Sequence, residues 1–357
     1  DVFGMDIARF GEYANKDYTL ARATEFYERR MRMTYPNEFW PAGRPALTTP
    51  LYDTQKQSNA VFGASDALEM PLYFAPSVEE ATEIPGFHRS NAFQLVADEC
   101  QVVRSSAGVL DISGYAKYEI SGADAEQWLD RIVASKLPNI GRVRLSPLLN
   151  DKGRLMGDLT IMRVAEDRFM LVGSGAMQRF HIRWFEKHLQ GERVKIENRT
   201  GELCGLSLAG PKSRVILQQL VDTSLDNDEF KFMAVKSVKI GAYSATISRV
   251  SFTGELGYEI YVPTADLPGV YQQLKSKAID SVEQLRDYGI YALLSLRLEK
   301  SYGIWSREFS PDYTPGMCGL DRFVDYDKSN FIGRDAVLRD SDIKPSQKLV
   351  GFEIDTP

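Results

Sequence analysis

The sequence predicts an α+β fold: pseudo-symmetric, duplicated strand–helix units with antiparallel sheets, preceded by a connector segment. Three observations predict it. Residues 118–122 (YEISG) and 206–210 (LSLAG) are matching strand-then-glycine runs, and both 206 − 118 and 210 − 122 equal 88. A second strand–helix pair follows in each copy, at residues 169–189 and 258–277. Alternation such as Lys117-Tyr118-Glu119-Ile120 has the period of two of a sheet with one covered face. Two such halves are expected to leave a cavity where they meet.

Taken in order, residues 18–33 carry helical spacing through Leu20, Ala23, Phe26, Tyr27 and Arg30. The short basic run Arg29-Arg30-Met31-Arg32 reads as its solvated face. Turn signals then cluster at Tyr35-Pro36, Pro41-Ala42-Gly43, Thr49-Pro50 and Ala75-Pro76. Residues 1–88 are therefore read as a linker-like connector whose aromatic side chains need a neighbour to be buried. The strand at 118–122 leads into a helix with Trp128, Leu129, Ile132 and Val133 on its apolar face. Its counterpart at 206–210 leads into Ile216, Leu217 and Leu220. The run Phe169-Met170-Leu171-Val172 precedes a helix over 176–189, and residues 258–262 precede one over 266–277. The main domain is thus expected over 89–340. Alternation in Leu349-Val350-Gly351-Phe352-Glu353-Ile354 predicts a strand that opens a further barrel over 341–357. The chain begins at Asp1 without Met or a signal-peptide pattern, and is expected to be part of a longer polypeptide.

Composition narrows the function class. The net charge of −6 is spread without long single-sign blocks, unlike the clustered basic footprint that nucleic-acid binding requires. No apolar run approaches the roughly 20 residues of a membrane span. Cys100, Cys204 and Cys318 are odd in number and far apart, which argues against a disulfide framework and for a reducing compartment. The chain has three histidines, and His181 and His188 lie two helical turns apart, a poor spacing for a metal, so no metal site is expected. Neither a GxGxxG fingerprint nor a phosphate loop occurs. Gly173-Ser174-Gly175 is only GxG and reads as a strand–helix connection, so the chain is not expected to hold its own flavin.

Two segments carry chemistry. In residues 252–261 (FTGELGYEIY), Gly254 and Gly257 bracket Glu255 and allow a sharp turn. In the strand that follows, Glu259 faces away from Tyr258 and Ile260. By itself this is either a solvated glutamate on an edge strand or a carboxylate held ready for donors. In residues 150–160 (NDKGRLMGDLT), a turn leads into a strand in which Asp158 sits among Leu155, Leu159, Ile161 and Met162. That acid is either a structural cap or a functional carboxylate.

These segments resemble the folate-binding aminomethyltransferase family, which includes the T-protein of the glycine cleavage system. The resemblance implies tetrahydrofolate as cofactor, with Glu259 gripping the pterin edge and Asp158 beside the reactive nitrogens as the catalytic carboxylate. Phe252, Ser174 and Leu145 complete the implied cofactor-binding set. Phe252 stands where the family usually has Tyr, Leu145 where a folate-facing Tyr is expected, and 292–294 (ALL) where T-proteins read Ala-Arg-Asp. Arg297-Leu298-Glu299-Lys300, Trp305, Glu308, Thr314-Pro315, Gly43-Arg44-Pro45, Leu51-Tyr52, Val61-Phe62-Gly63, Phe74-Ala75-Pro76 and 331–334 (FIGR) instead resemble dimethylglycine and sarcosine dehydrogenases. That likeness implies a covalently linked upstream domain holding FAD, which oxidises an N-methyl amine. This chain would then capture the carbon as 5,10-methylene-tetrahydrofolate, in bacterial cytoplasm or the mitochondrial matrix of a eukaryote. The alternatives are a free-standing aminomethyl- or methyltransferase and a non-catalytic scaffold of the same fold.

Overall fold

The computed structural model describes residues 6–280, 285–305, 307–341 and 345–354; Asp1 lies outside them. The elements are α1 (Lys16–Arg29), α2 (Tyr52–Gln57), β1 (Ala60–Ser65), β2 (Leu68–Phe74), α3 (Ala92–Ser105), β3 (Ala107–Asp111), β4 (Ala116–Ser121) and α4 (Ala125–Ile132). They continue with β5 (Val143–Leu149), β6 (Leu155–Ala165), β7 (Arg168–Gly173), α5 (Gln178–Lys187), β8 (Lys195–Asn198), β9 (Leu203–Ala209) and α6 (Ser213–Gln218). The remainder are β10 (Val235–Ile240), β11 (Tyr243–Ser248), β12 (Gly257–Pro263), α7 (Leu267–Asp280), β13 (Leu285–Asp287), α8 (Ile290–Glu299), α9 (Pro315–Cys318) and α10 (Arg334–Ser341).

Two sheets stack between helices. One has strand order β10-β11-β12-β9-β3-β13, the other β5-β6-β7-β4-β8. The sheets are antiparallel as the sequence predicts, with one parallel pairing at an edge, β13 with β3. Strand alternation divides the core into layers. Tyr258, Ile260 and Val262 of β12 face α6 and α7, whereas Leu159 and Ile161 of β6 face α4 and α5. The opposite faces meet each other: Leu110, Ala209 and Tyr261 pack against Met162, Met170 and Val172, with α3 and α8 alongside. Each sheet is therefore covered on both sides. Trp128 of α4 is 1 % exposed, stacked edge-on against Phe185 of α5; truncating such a side chain costs about 3–5 kcal/mol.

The strand-to-helix glycines are required by geometry. Gly122 and Gly210 adopt φ of 124° and 125°, values that a side chain strongly disfavours. A Cβ on either would also run into a backbone carbonyl, that of Arg193 or that of Ser106.

The connector is more structured than its turn signals suggest. α1 ends at Arg29 rather than 33, capped at its start by the Asn15 side chain accepting from Tyr18 N at 3.0 Å. Its basic end is not simply solvated: Arg29 pairs with Glu25 and Glu38, and Arg32 with Glu38 at 2.7 Å. β1 and β2 form a hairpin fastened to the main domain by Glu99, whose carboxylate accepts from Phe74 N at 2.7 Å and Gly289 N at 2.8 Å. Part of the aromatic content stays exposed as expected, with Phe26 at 52 % and Tyr27 at 66 %. At the other end, 349–354 form no strand, contrary to the alternation. Leu349 N instead donates to Met317 O at 2.8 Å, and the side chains of Phe352 and Ile354 are exposed.

Candidate functional site

Asp158 and Glu259 arise in different halves and turn towards the same inter-sheet layer. Glu259 shares its face of β12 with Tyr261, and Asp158 shares its face of β6 with Met162; Tyr261 and Met162 both belong to the layer between the sheets. Both acids are half-buried. Burial pushes Glu259 up to about 7, against the hydrogen bond from Tyr261 and the charge of Lys117, which both favour the carboxylate. Burial likewise pushes Asp158 up to about 6.

Their hydrogen-bond capacity is largely unspent. Tyr261 Oη donates to Glu259 Oε2 at 2.7 Å, and no other donor reaches that carboxylate among the described residues. Asp158 meets its own main-chain N–H and no other residue's donor among the described residues. Desolvated acceptors left open in this way suit a ligand that brings its own N–H groups.

Both acids act electrostatically on Tyr115, which sits in the crossover from β3 to β4. Both carboxylates, together with the Tyr288 hydroxyl, add to the burial that holds the Tyr115 phenol protonated. Contacts along the chain agree. A Cβ on Gly175 would collide with Gly114 O, and one on Gly173 would lie 3.6 Å from Asp158 O. The turn carrying Ser174 is thereby wedged between the crossover and the Asp158 strand.

Of the remaining sequence candidates, Ser174 and Phe252 lie at this layer, whereas Leu145 packs in a separate cluster with Phe309 and Leu320. Ser174 is half-buried in that turn. Leu145 of β5 pairs with Thr160, which pairs with Val172 of β7, so Leu145 lies two ladder pairs from Asp158, which pairs with Pro147. Phe252 packs into the inter-sheet cluster and stacks on Tyr302 at 5.7 Å between centroids. The glycine turn before Glu259 is real at Gly254, where φ is 80° and the Lys300 stem occupies the space of a side chain. Gly257 is needed for a different reason: Ser251 Cβ and Leu208 O crowd it at 2.7 and 3.3 Å.

Sequence reasoning missed three residues. Tyr115, Lys117 and Asp111 all belong to or flank the crossover between the sheets. Lys117 is fully buried, although its strand alternation suggested one covered face; the signal would have been knowing that both faces are covered. Asp111 accepts from Thr49 Oγ1 at 2.6 Å and Ser113 N at 2.9 Å. The expected cavity between the halves contrasts with two shallow recesses on the connector, of about 490 and 380 Å³, lined by residues such as Glu25 and Tyr18. They lie away from the acids, and the charge of Glu25 is already matched by Arg22 and Arg29. No group of three or more potential metal ligands is found among the described residues. No helix among them is long and apolar enough to cross a membrane.

Against known families, the model of the GCVT N-terminal domain matches residues 51–328. The chain belongs to the GCVT aminomethyltransferase domain family. Residues 1–49 match the central domain of FAD dependent oxidoreductases. The chain is 35 % identical to mitochondrial dimethylglycine dehydrogenase of Mus musculus over 341 residues, covering 94 % of this chain and 39 % of that protein. It is 31 % identical to an aminomethyltransferase of Thermoanaerobacter sp. (strain X514), covering 73 % of this chain and 71 % of that one. Among solved structures it resembles glycine cleavage system aminomethyltransferase T of Bartonella henselae, with a TM-score of 0.70 at 27 % identity, over 84 % of this chain and 76 % of that one. The chain therefore spans well under half the length of the dimethylglycine dehydrogenase it matches.

Proposed function

We propose that the space between the sheets binds tetrahydrofolate. In this reading the chain is the one-carbon-transfer portion of an FAD-dependent N-methyl amine dehydrogenase or oxidase of dimethylglycine or sarcosine type. The observation that carries the reading is the pair of half-buried acids, one from each half, on strand faces that share one layer and with open acceptor capacity. The residues fit the group. A pterin presents a guanidine-like edge of N–H donors, and Glu259 has Oε1 free and Oε2 held by Tyr261. When bound, tetrahydrofolate supplies the amine that accepts a one-carbon unit at the formaldehyde level.

The protein's own residues then divide the work. Glu259 binds and orients: donors on the ligand favour its ionised form and draw a group that titrates near 7 towards the carboxylate. Asp158, near 6, sits close enough to neutral pH to release or take up a proton at its carboxyl oxygen, and as an anion it stabilises positive charge developing beside it. Phe252 supplies apolar wall, and Ser174 a hydroxyl on the turn beside Asp158. Enclosure between two sheets keeps a reactive carbon near its acceptor.

The oxidoreductase match of residues 1–49 supports FAD in a covalently linked domain outside the chain, with the one-carbon donor oxidised there. Within the connector proposed for residues 1–88, the boundary between the two family matches falls at about residue 50. The units proposed beyond it are 89–340 for the folate-binding domain and 341–357 for the opening of a further one. A second reading, a free-standing aminomethyltransferase, is favoured by the two-sided coverage of the Thermoanaerobacter protein. The two are separated by expressing the chain with its upstream coding sequence and measuring N-methyl-amine-dependent formation of one-carbon folate. Folate-dependent transfer without amine oxidation would favour the second. Failure of the chain to bind tetrahydrofolate would leave a scaffold and end both.

A further inference from the structure

Lys117 is the second residue of β4 and pairs across the sheet with Val172, a residue of the inter-sheet layer, so its side chain points into that layer. It is 0 % exposed, and a lysine is almost never buried to that degree unless paired. Its Nζ donates to Ser113 O at 2.9 Å and Tyr115 O at 2.5 Å. Those carbonyls satisfy two of three N–H bonds but carry no net charge to offset the ammonium. The ionisable groups whose charge acts on it are Cys204 on β9, Asp111 on β3 and Glu259 on β12, of which Glu259 shares the inter-sheet layer with it. Asp111 is already held by Thr49 and Ser113. Glu259 in turn accepts from Tyr261 on its own strand and is coupled electrostatically to Tyr115 in the crossover, Tyr288 ahead of α8 and Lys117 on β4. Of these four only Lys117 is cationic at neutral pH.

We propose that Lys117 is a positioning residue of the inter-sheet site: its ammonium fastens the crossover that carries Tyr115 and supplies the positive charge opposite Glu259. Its relevance to ligand binding rests on the folate reading above, but the coupling itself belongs to the chain alone. Burial lowers Lys117 to about 8, which leaves it mostly charged at neutral pH. The network also reaches the connector, since Thr49, at the end of the oxidoreductase-like segment, bonds to Asp111, which holds Ser113.

The test uses the folate-free chain with ¹³C-labelled glutamate carboxyls, Glu259 being assigned by the signal lost in Glu259→Gln. Lys117→Met keeps the stem and removes the charge; the Glu259 midpoint is expected to rise by roughly one pH unit, the low end of an opposite-charge effect. Lys117→Arg should hold it within about a few tenths of the wild type, because the charge persists. Should Lys117→Met not fold, the reciprocal measurement decides. In Glu259→Gln, the Lys117 Nζ midpoint, read by ¹⁵N resonance, is expected to fall, because coupling between two sites acts equally in both directions. A purely structural lysine would leave both midpoints unmoved, and that result overturns the proposal. Absence of tetrahydrofolate binding with coupled midpoints would instead defeat the folate reading and leave this one standing.

Discussion

The two halves share a frame and differ in where they place an acid. Their sheets have the same order when β5, β6, β7, β4 and β8 are laid on β10, β11, β12, β9 and β3. Both second helices are preceded by a short 3-10 turn, at Gly175–Met177 and Thr264–Asp266. Register makes the equivalence concrete. Tyr118 and Leu206, matched by the repeat, pair with Leu171 and Ile260, which carries Glu259 onto Met170. Leu171 and Ile260 pair in turn with Ile161 and Ile247, which carries Asp158 onto Ser244. Neither acid has an acidic counterpart. Duplication explains the sandwich and the layer within it; in the function proposed above, the chemistry comes from breaking the symmetry, one acid per half at non-equivalent positions.

If that asymmetry is functional, the largest effect belongs to the Asp158 side. Asp158→Asn is expected to lower one-carbon transfer by about 10²-fold or more, the scale of lost acid–base assistance. Folate affinity should stay near wild type, because the carboxylate is needed chiefly as charge develops. Product yield against binding in one preparation checks this, and unchanged yield removes Asp158 from the mechanism.

The symmetric part should respond symmetrically. Gly122→Ala and Gly210→Ala each force a side chain into a positive-φ position that a carbonyl already fills, costing at least about 2 kcal/mol. Similar losses in urea unfolding would sharpen the equivalence, and a loss at one position alone would break it. Glu259→Gln should weaken tetrahydrofolate by about tenfold or more, as a charge-assisted bond of roughly 1.5–3 kcal/mol is replaced by an amide that offers donors to a donor edge.

The smallest contrast is in pH dependence. Only the first half buries a histidine: His181 is 0 % exposed, near Tyr118 Oη at 3.1 Å, and burial lowers it to about 4. Unfolding lets it take up a proton between about 4 and its ordinary value near 6.5, so stability falls as pH drops through that window, by up to about 1.4 kcal/mol per unit. Asp158 and Glu259 act oppositely. Their folded-state values are raised, so they weaken the fold as pH climbs from their ordinary range towards 6 and 7. Chemical unfolding of wild type and His181→Phe across this range separates the two; a variant with an unchanged acid slope would exclude His181 as its source.

Much of this was legible in the sequence because local rules and tertiary structure agree. The repeat at Tyr118 and Leu206, the glycines after each strand and the apolar helix faces at Trp128 and Ile216 all appear as read. The acids were visible as charges inside apolar strands. What could not be read was which faces are covered. Lys117 follows the same alternation as any half-exposed strand, yet the second sheet lies over it. The hairpin of β1 and β2 was hidden behind turn residues, and its hold on the domain comes from Glu99, remote in sequence. Residues 349–354 show the converse: alternation without a partner strand does not make a sheet.

The central claim, that Glu259 grips a donor-rich ligand between the sheets, is tested most directly by titrating tetrahydrofolate calorimetrically into the chain from about pH 8 to about pH 6, spanning the Glu259 value near 7. Saturable binding that weakens as pH falls through about 7, and loses that dependence in Glu259→Gln, is the expected result. Binding with the same pH profile and affinity in Glu259→Gln, or no binding at any pH, would contradict it.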